Sequence, residues 1–341
     1  MSHIRCLPIL AGLLFSFLFP ANVLAQDTVL VRRAAFDIGS AAIKCTIADV
    51  DIATGRTMKT FEELSQKIDF AEDLARSYDG NFSKKIMNKG IEIIKKMKLA
   101  ATKHRVVEYS GVGGTAFRSA RNGRAYFVRI KDETGIQCRI ISEQQAALLS
   151  YHAARQRLDI SKDILVWDIG GSGMQITSRD MNGGLTFYVD AMASVSFKNV
   201  VIDFIQKKDL TTTTTPNPMS RDEVKQALNY VKSYAEINIP PALISQIRNS
   251  NVRVAGIGGV HYFSIPETLG QRNESYTSAE VKQALEEWTD KPDNAFESEY
   301  ANTRLTNLIL VLGYMKALNI DAVFPLKINE ANGLLAAPEF W

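Results

Sequence analysis

Cysteine and histidine are scarce in this sequence. It has 3 cysteines and 4 histidines among 341 residues, which excludes a small fold held together by several disulfides. His104, His152 and His261 have no cysteine or carboxylate neighbours at ligand spacing, so a structural zinc site is not expected. Cys45 and Cys138 are expected to be buried thiols on separate strands, although an oxidising compartment would permit them to pair.

The sequence also lacks an excess of charge of either sign. Lys and Arg number 40 and Asp and Glu 37, and the formal net charge is +3. This balance does not predict binding to nucleic acid or to a membrane surface, so any polyanion site must be local. With 46% hydrophobic residues, the chain has enough apolar surface for a core and is too long for one ordinary domain. We therefore expect two domains.

The N-terminal apolar run is too short for a comfortable membrane span. It covers residues 7–19 and ends at Pro20. Arg5 precedes it, and a small-residue site ending at Ala25 follows it, which is the pattern of a secretory signal peptide. We expect residues 1–25 to be removed, leaving a periplasmic or secreted protein without a stable membrane anchor.

Glycine turns that follow apolar runs are the main positive signal. Residues 34–40 and 164–171 both end an apolar run in Asp-Ile-Gly, and each continues into a second β-like run. Each pattern predicts a β-hairpin, and the two together indicate a weak internal duplication. A third apolar run, residues 254–260, also leads into glycines.

Such turns suit phosphate, because small residues expose backbone amides that bind phosphate oxygens. Two turns that face each other can clamp a phosphate chain from both sides. An aspartate at a strand end is placed to hold Mg²⁺ through water. The alternatives are ordinary tight hairpins and, for the third turn, close packing. The residues expected to contact phosphate are Gly39, Ser40, Gly170, Gly171, Ser172, Gly258 and Gly259, and those expected to hold Mg²⁺ are Asp37 and Asp168.

Helix signals fill the intervals between the β-like runs. Ser83 is expected to cap a helix whose lysines form a solvated face or dock a polyanion. Capping boxes are expected at Ser220 with Glu223 and at Thr277 with Glu280. Two further expected elements are a surface loop over residues 210–218 and a closing apolar helix over residues 305–318.

These motifs, in this order, resemble the exopolyphosphatase / guanosine pentaphosphatase family of the actin-like superfamily. The family's first loop reads Asp-x-Gly-Ser-Asn-Ser, and its second reads Asp-Ile-Gly-Gly-Gly-Ser-Thr-Glu. Residues 114–122 are similar to the family's Thr-Ser-Ala-x-Arg-x-Ala-x-Asn segment, and residues 328–335 to its closing Gly-Leu-Leu segment. The resemblance runs across most of the chain.

The resemblance implies an α/β fold of two ribonuclease-H-like domains, here residues 26–153 and 154–341, with the active site in the cleft between them. It implies Mg²⁺-dependent release of phosphate from polyphosphate or guanosine pentaphosphate. Export favours polyphosphate or another phosphorylated small molecule as the partner. Nucleic acid is not an expected partner, and whether the protein forms a homodimer is left open. Thr115 and Arg118 would contact phosphate, although Arg118 could instead be a surface ion-pair partner.

The resemblance breaks at the general base. The family places a catalytic glutamate in Ile-Ser-Gly-x-Glu-Glu-Ala, where this chain has residues 141–147. Ungapped counting puts Ala146 at that position, and a one-residue slip puts Gln145 there. Gln175 replaces the glutamate that ends the family's second loop, and Lys44 adds a cation just beyond the first loop unless it faces solvent.

Two residues are candidates to replace the lost base. Glu143 lies on the same helix face as Ala146, about one turn earlier, and Gln145 could orient a water. A structural alternative makes Ser142 the N-cap, Gln145 its capping-box partner and Glu143 a favourable charge at the helix start. The sequence thus leaves two functions open: a weak exopolyphosphatase-like hydrolase, or a catalytically impaired protein that binds or senses phosphate or polyphosphate.

The signal-peptide interpretation predicts that the exported protein begins at Gln26, because signal peptidase cleaves after small residues such as Ala25. Intact-mass measurement on exported protein should give the mass of residues 26–341. A mature species that retains residues 1–25 would reject the interpretation.

Overall fold

A computed structural model describes residues 29–158, 163–171, 173–179, 184–249 and 252–341. The expected signal peptide and its cleavage site lie outside these residues. The described chain is a mixed α/β structure built on two sheets, and the predicted fold class is confirmed. The division at residues 153 and 154 stays a prediction.

The first sheet, as far as the chain is described, has five strands in the order β3-β2-β1-β4-β5. β1 pairs antiparallel with β2 and parallel with β4, while β3 and β5 form the two edges. Consecutive residues of β1 and β2 are buried, so both faces of these two strands are covered. The strands are β1 (Leu30–Ile38), β2 (Ala42–Asp51), β3 (Arg56–Lys67), β4 (Glu108–Gly113) and β5 (Gln137–Ile140).

The second sheet repeats this topology within the described residues, with six strands in the order β10-β11-β9-β6-β7-β8. An antiparallel meander, β6-β7-β8, lies beside a parallel strand, β9, just as β1-β2-β3 lies beside β4. The predicted duplication is therefore visible as matching topology. The strands are β6 (Ile164–Ile169), β7 (Met174–Arg179), β8 (Leu185–Asp190), β9 (Arg253–Ile257), β10 (Tyr276–Thr277) and β11 (Ala322–Pro325).

The helices lie around the two sheets. Two of them adjoin π-helical turns, Val201–Ile205 after α6 and Val260–Ser264 before α9. The helices are α1 (Phe70–Ala75), α2 (Lys84–Lys103), α3 (Thr115–Ser119), α4 (Gly123–Thr134), α5 (Glu143–Arg157), α6 (Ser194–Val200), α7 (Arg221–Asn238), α8 (Pro241–Asn249), α9 (Ile265–Thr268), α10 (Ser278–Trp288), α11 (Ala301–Leu318) and α12 (Glu330–Leu335).

The helix starts follow the side-chain caps that the sequence predicts. The Ser83 hydroxyl accepts a hydrogen bond from the Ile86 amide at the start of α2, and capping boxes begin α7 and α10 at Ser220 and Thr277. The predicted closing helix is α11, which is buried along nearly its whole length in the core of the second sheet. No helix in the described residues is both long and apolar enough to cross a membrane.

The two cysteines confirm the expectation of separate buried thiols. Cys45 lies on β2 and Cys138 on the edge strand β5, and both are free. Burial raises the pKa of each thiol to about 12.

The C-terminal segment returns to the first sheet. α12 packs against β1, β2, β4 and α5, and its core includes Leu334, Leu335 and Phe340 beside Val112 of β4. The Ser110 hydroxyl on β4 donates to the Phe340 carbonyl at 2.8 Å. Residues 330–341 thus connect the end of the chain to its first strands.

We predict that Gly333→Ala destabilises the protein by about 2 kcal/mol, because a Cβ there would lie 2.0 Å from the Leu149 carbonyl oxygen of α5. Urea unfolding should show the loss. Gly259→Ala is the matched control, because its Cβ would meet nothing within 4 Å, and it should change stability by less than about 0.5 kcal/mol. Equal effects of the two substitutions would contradict the close packing of α12 on α5.

Candidate active site

The first glycine turn closes the β1-β2 hairpin. The Gly39 amide donates to the Ala42 carbonyl at 3.0 Å, and a Cβ on Gly39 would lie 2.8 Å from that oxygen. A side chain therefore does not fit at Gly39. The structure shows no protein acceptor, within the described chain, for the amides of Ser40 and Ala41, which leaves them available to a ligand.

The second glycine turn has the same closure. The Gly170 amide donates to the Gly173 carbonyl at 2.9 Å between β6 and β7. The carbonyls of Gly170 and Gly171 accept from the amides of Ser194 and Val195, which places this turn against the N-terminus of α6. Ser172 lies outside the described residues, so its predicted contact with phosphate stays a prediction.

The third glycine turn packs on the second. Gly258 has a φ of +83°, and a Cβ there would lie 2.4 Å from the Asp168 Oδ1 and 2.5 Å from the Ile169 carbonyl oxygen. Both the positive φ and the contact require glycine. The packing explanation that the sequence left open therefore applies to Gly258, whereas Gly259 faces open space.

The backbone amides of Gly39 and Gly170 close the two turns and are not free to bind a ligand. These glycines can only let a ligand come close to the backbone, because they have no side chain. Ser40 and Gly171 keep amides without a protein acceptor among the residues described. Phosphate binding at all of these positions stays a prediction, and the free amides are its most direct basis.

Two carboxylates from different sheets face each other near these turns. Asp37 is the next-to-last residue of β1 and is 5% exposed, and Asp168 is half-buried at the next-to-last position of β6. The pKa of Asp168 is raised to about 6, chiefly by burial, while the Lys44 ammonium opposes the shift and repulsion by Asp37 adds to it. The effect of Asp37 on the pKa of Asp168 indicates that the two residues predicted to hold Mg²⁺ lie in one site.

Lys44 lies among the carboxylates rather than facing solvent. It is directly opposite Asp37 in the β1-β2 register, and its Nζ lies 3.2 Å from the Asp37 Oδ2. Burial, which lowers the pKa of Lys44, is outweighed by the carboxylates of Asp37, Glu330 and Asp168, and the pKa is raised. The ammonium is therefore charged at neutral pH.

Sequence reasoning missed Glu330. It is the first residue of α12, capped by Asn329, and the return of the C-terminal segment brings it next to Asp37 and Asp168. Burial first, and then the two aspartates, raise the pKa of Glu330 well above its usual range. The Lys44 ammonium opposes this rise. No local sequence motif marks this residue as part of the site.

A second group of polar residues lies at the ends of β4 and β5. Arg118 donates to the Ile141 carbonyl at 2.6 Å, to the Thr115 hydroxyl at 2.9 Å and to Glu143 Oε1 at 3.3 Å. Gly113 pairs with Ile38, so this group lies beside the first glycine turn. Arg118 is thus an ion-pair partner of Glu143, and its contact with phosphate stays a prediction.

Glu143 also touches the second half of the protein. The backbone carbonyl of Glu143 accepts a hydrogen bond from the side-chain amide of Gln175, on β7, at 3.0 Å. Half of the Glu143 side chain is exposed. Ala146 lies one turn later on α5, partly buried against the core that holds α12. The resemblance puts Ala146, or Gln145 with a one-residue slip, at the family's catalytic glutamate and Gln175 at the glutamate of its second loop, and none of these side chains can act as a general base.

Gln145 has a structural role. The Gln145 side-chain oxygen Oε1 accepts a hydrogen bond from the Ser142 backbone amide at 2.9 Å, and the Gln145 backbone amide donates to the Ser142 hydroxyl at 3.2 Å. These two hydrogen bonds form the capping box that the sequence allowed as the structural role of Ser142 and Gln145. Orientation of a water by Gln145 remains a prediction that requires this cap to open.

The raised pKa of Asp168 predicts a pH-dependent loss of stability. The protonated form is favoured in the fold, so its contribution is complete below about pH 4 and disappears as the pH rises through about 6. Asp168→Asn should therefore be more stable than the wild type by roughly 2 kcal/mol at pH 7.5, with no difference near pH 4. Urea unfolding across this range tests the prediction.

Asp163→Asn, a change at an exposed residue just before β6, is the control and should follow the wild-type profile. Parallel profiles for the wild type and Asp168→Asn would contradict an electrostatic cost at this site.

Comparison with known proteins bears on both fold and family. A Ppx/GppA protein from Aquifex aeolicus matches with a TM-score of 0.72 at 17% identity, covering 90% of this chain and 97% of that one. An exopolyphosphatase from Cytophaga hutchinsonii matches with a TM-score of 0.68 at 17% identity, covering 89% and 96%. At these identities, the matches show a shared fold.

A curated relative, the bifunctional 3-dehydroquinate synthase/phosphatase of Fusobacterium nucleatum, is 24% identical over 220 residues. The match covers 60% of this chain and 31% of that protein, so this chain corresponds to less than a third of its relative. The family model described as the Ppx/GppA phosphatase family matches residues 47–248, which is more than half of the sequence. The chain therefore belongs to the Ppx/GppA phosphatase family.

Proposed function

We propose that this protein is an exopolyphosphatase-like hydrolase that releases terminal phosphate from polyphosphate or a related phosphorylated compound. The supporting observation is the meeting of Asp37, Asp168 and Lys44 beside glycine turns from two sheets. Free amides and an ammonium group suit the oxygens of a phosphate chain. Membership of a phosphatase family is consistent with this use of the site.

The reaction needs an attacking water and a proton acceptor. Water attacks the terminal phosphorus, the bridging P–O bond breaks, and the displaced chain leaves with the bridging oxygen. Glu143 is the candidate base, because its carboxylate is half exposed and is held by Arg118 at a single 3.3 Å contact. Arg118 would then orient the base and offer its charge to the phosphate.

The Mg²⁺ that the family resemblance implies fits these residues poorly. Carboxylate oxygens are suitable donors for the ion, but Asp37 Oδ2 is already paired with the Lys44 ammonium. No group of three histidine, cysteine or acidic side chains converges as a metal site in the described part of the chain. The proposed reaction therefore uses no metal ion held by Asp37 and Asp168.

The proposed substrate follows from the expected compartment. A protein exported by its N-terminal 25 residues would not normally meet cytosolic guanosine alarmones. Inorganic polyphosphate, or another phosphorylated compound outside the cytoplasm, is then the better candidate. The localisation and the substrate are both proposals that depend on residues 1–25 being a signal peptide.

Binding without turnover is a second candidate function. The observation in its favour is that Ala146 is packed against the core and Gln175 is hydrogen-bonded to the Glu143 carbonyl, so neither family position offers a base. In that case the same cleft would sense or store a phosphorylated ligand.

The test is orthophosphate release from medium-chain polyphosphate by the purified mature protein, together with calorimetric binding of the same ligand. If Glu143 is the base, Glu143→Gln should lower turnover by roughly 10²-fold or more and leave binding nearly unchanged. Asp163→Asn, at an exposed residue just before β6 and outside the site, is the control and should leave turnover unchanged.

Binding without detectable release of phosphate would favour the second function. Rapid release that Glu143→Gln leaves unchanged would reject Glu143 as the base. The absence of both binding and release would reject polyphosphate as the ligand.

A further inference from the structure

The Lys44–Asp37 ion pair is fixed by the hairpin that carries it. The two residues are directly opposite each other in an antiparallel register, so their side chains emerge on the same face of the sheet. The four-residue turn closed by Gly39 and Ala42 sets that register. The ammonium is consequently held against Asp37 by the backbone, at 3.2 Å.

Lys44 pairs directly with Asp37 of β1 at 3.2 Å. Burial opposes its charge, but Asp37, Glu330 of α12 and Asp168 of β6 together raise its pKa. These elements come from the beginning, the middle and the end of the chain. A divalent cation placed between the two aspartates would meet the ammonium at close range, and the two cations would repel each other.

The ammonium remains accessible to a ligand. The Lys44 side chain is 36% exposed, whereas that of Asp37 is 7% exposed. An ammonium group has three N–H donors, and only one is needed for Asp37. The other two are free to reach phosphate oxygens beside the unpaired amides of Ser40 and Ala41.

We propose that Lys44 is the resident cation of this site and takes the role that a divalent ion would have, so that the phosphorylated ligand binds without Mg²⁺. This inference rests on the proposed function, since it assumes that the phosphate chain occupies this cleft. It concerns the countercharge of the ligand and not the chemistry of its hydrolysis.

The first experiment is calorimetric titration of the mature protein with tripolyphosphate in EDTA. The wild type should bind in EDTA, and Lys44→Met should weaken that binding at least 10-fold. Lys44→Arg, which keeps the charge, should restore it. Lys59→Met is the matched control, because Lys59 lies on the edge strand β3 over the Phe61 ring and should bind as the wild type does.

The second experiment is titration with Mn²⁺ alone, followed by electron paramagnetic resonance, which needs neither ligand nor turnover. The wild type should not hold Mn²⁺ at this site. Lys44→Met should gain a Mn²⁺ site, because Asp37 is released and the repelling charge is gone. Asp168→Asn in the Lys44→Met background should remove the gained site.

The outcomes separate this inference from the proposed function. Wild-type binding of tripolyphosphate that appears only with Mg²⁺ would overturn the role of Lys44 and leave the proposed function standing. No binding with or without Mg²⁺ would overturn both. If Lys44→Met does not fold, as judged by circular dichroism, the wild-type comparison between EDTA and Mg²⁺ and the wild-type Mn²⁺ titration still decide the matter.

Discussion

The return of the C-terminal segment to the first sheet is the constraint on which the site depends. α12 lies on β1, β2 and β4 and against α5, with Gly333 allowing contact with the Leu149 backbone. Hydrogen bonds from Ser110, Arg33 and Arg139 to backbone carbonyls of residues 335–340 hold the segment in place. This docking places Glu330 beside the aspartates of both hairpins, so packing and site geometry are set together.

The site concentrates charges that a stable fold would keep apart. Two aspartates and a glutamate lie near one ammonium. Burial raises the pKa values of Asp168 and Glu330, and repulsion by Asp37 adds to both shifts. Such an arrangement lowers the free energy of unfolding at neutral pH. Groups with such strongly shifted pKa values are typical of functional sites. The hairpin register ensures that at least Asp37 keeps a countercharge when no ligand is bound.

Several residues differ from the motifs of the family that the sequence resembles. Ala146, or Gln145 if the motif slips by one residue, replaces the catalytic glutamate, and Gln175 replaces the glutamate of the second loop. The Gln175 side-chain amide donates instead to the Glu143 backbone carbonyl. Lys44 adds a cation just beyond the first glycine turn, where its Nζ lies 3.2 Å from the Asp37 Oδ2.

The sequence by itself determined the local structure: both hairpins, the helix caps at Ser83, Ser142, Ser220 and Thr277, and the family. These features depend on residues close together in the chain, where turn chemistry, capping and periodicity act without distant partners. The sequence did not predict the pairing of Lys44 with Asp37 in preference to solvent, nor the entry of Glu330 into the site. Only the tertiary structure decided these, because the charge state of a side chain depends on burial and on neighbours that the fold brings from distant segments.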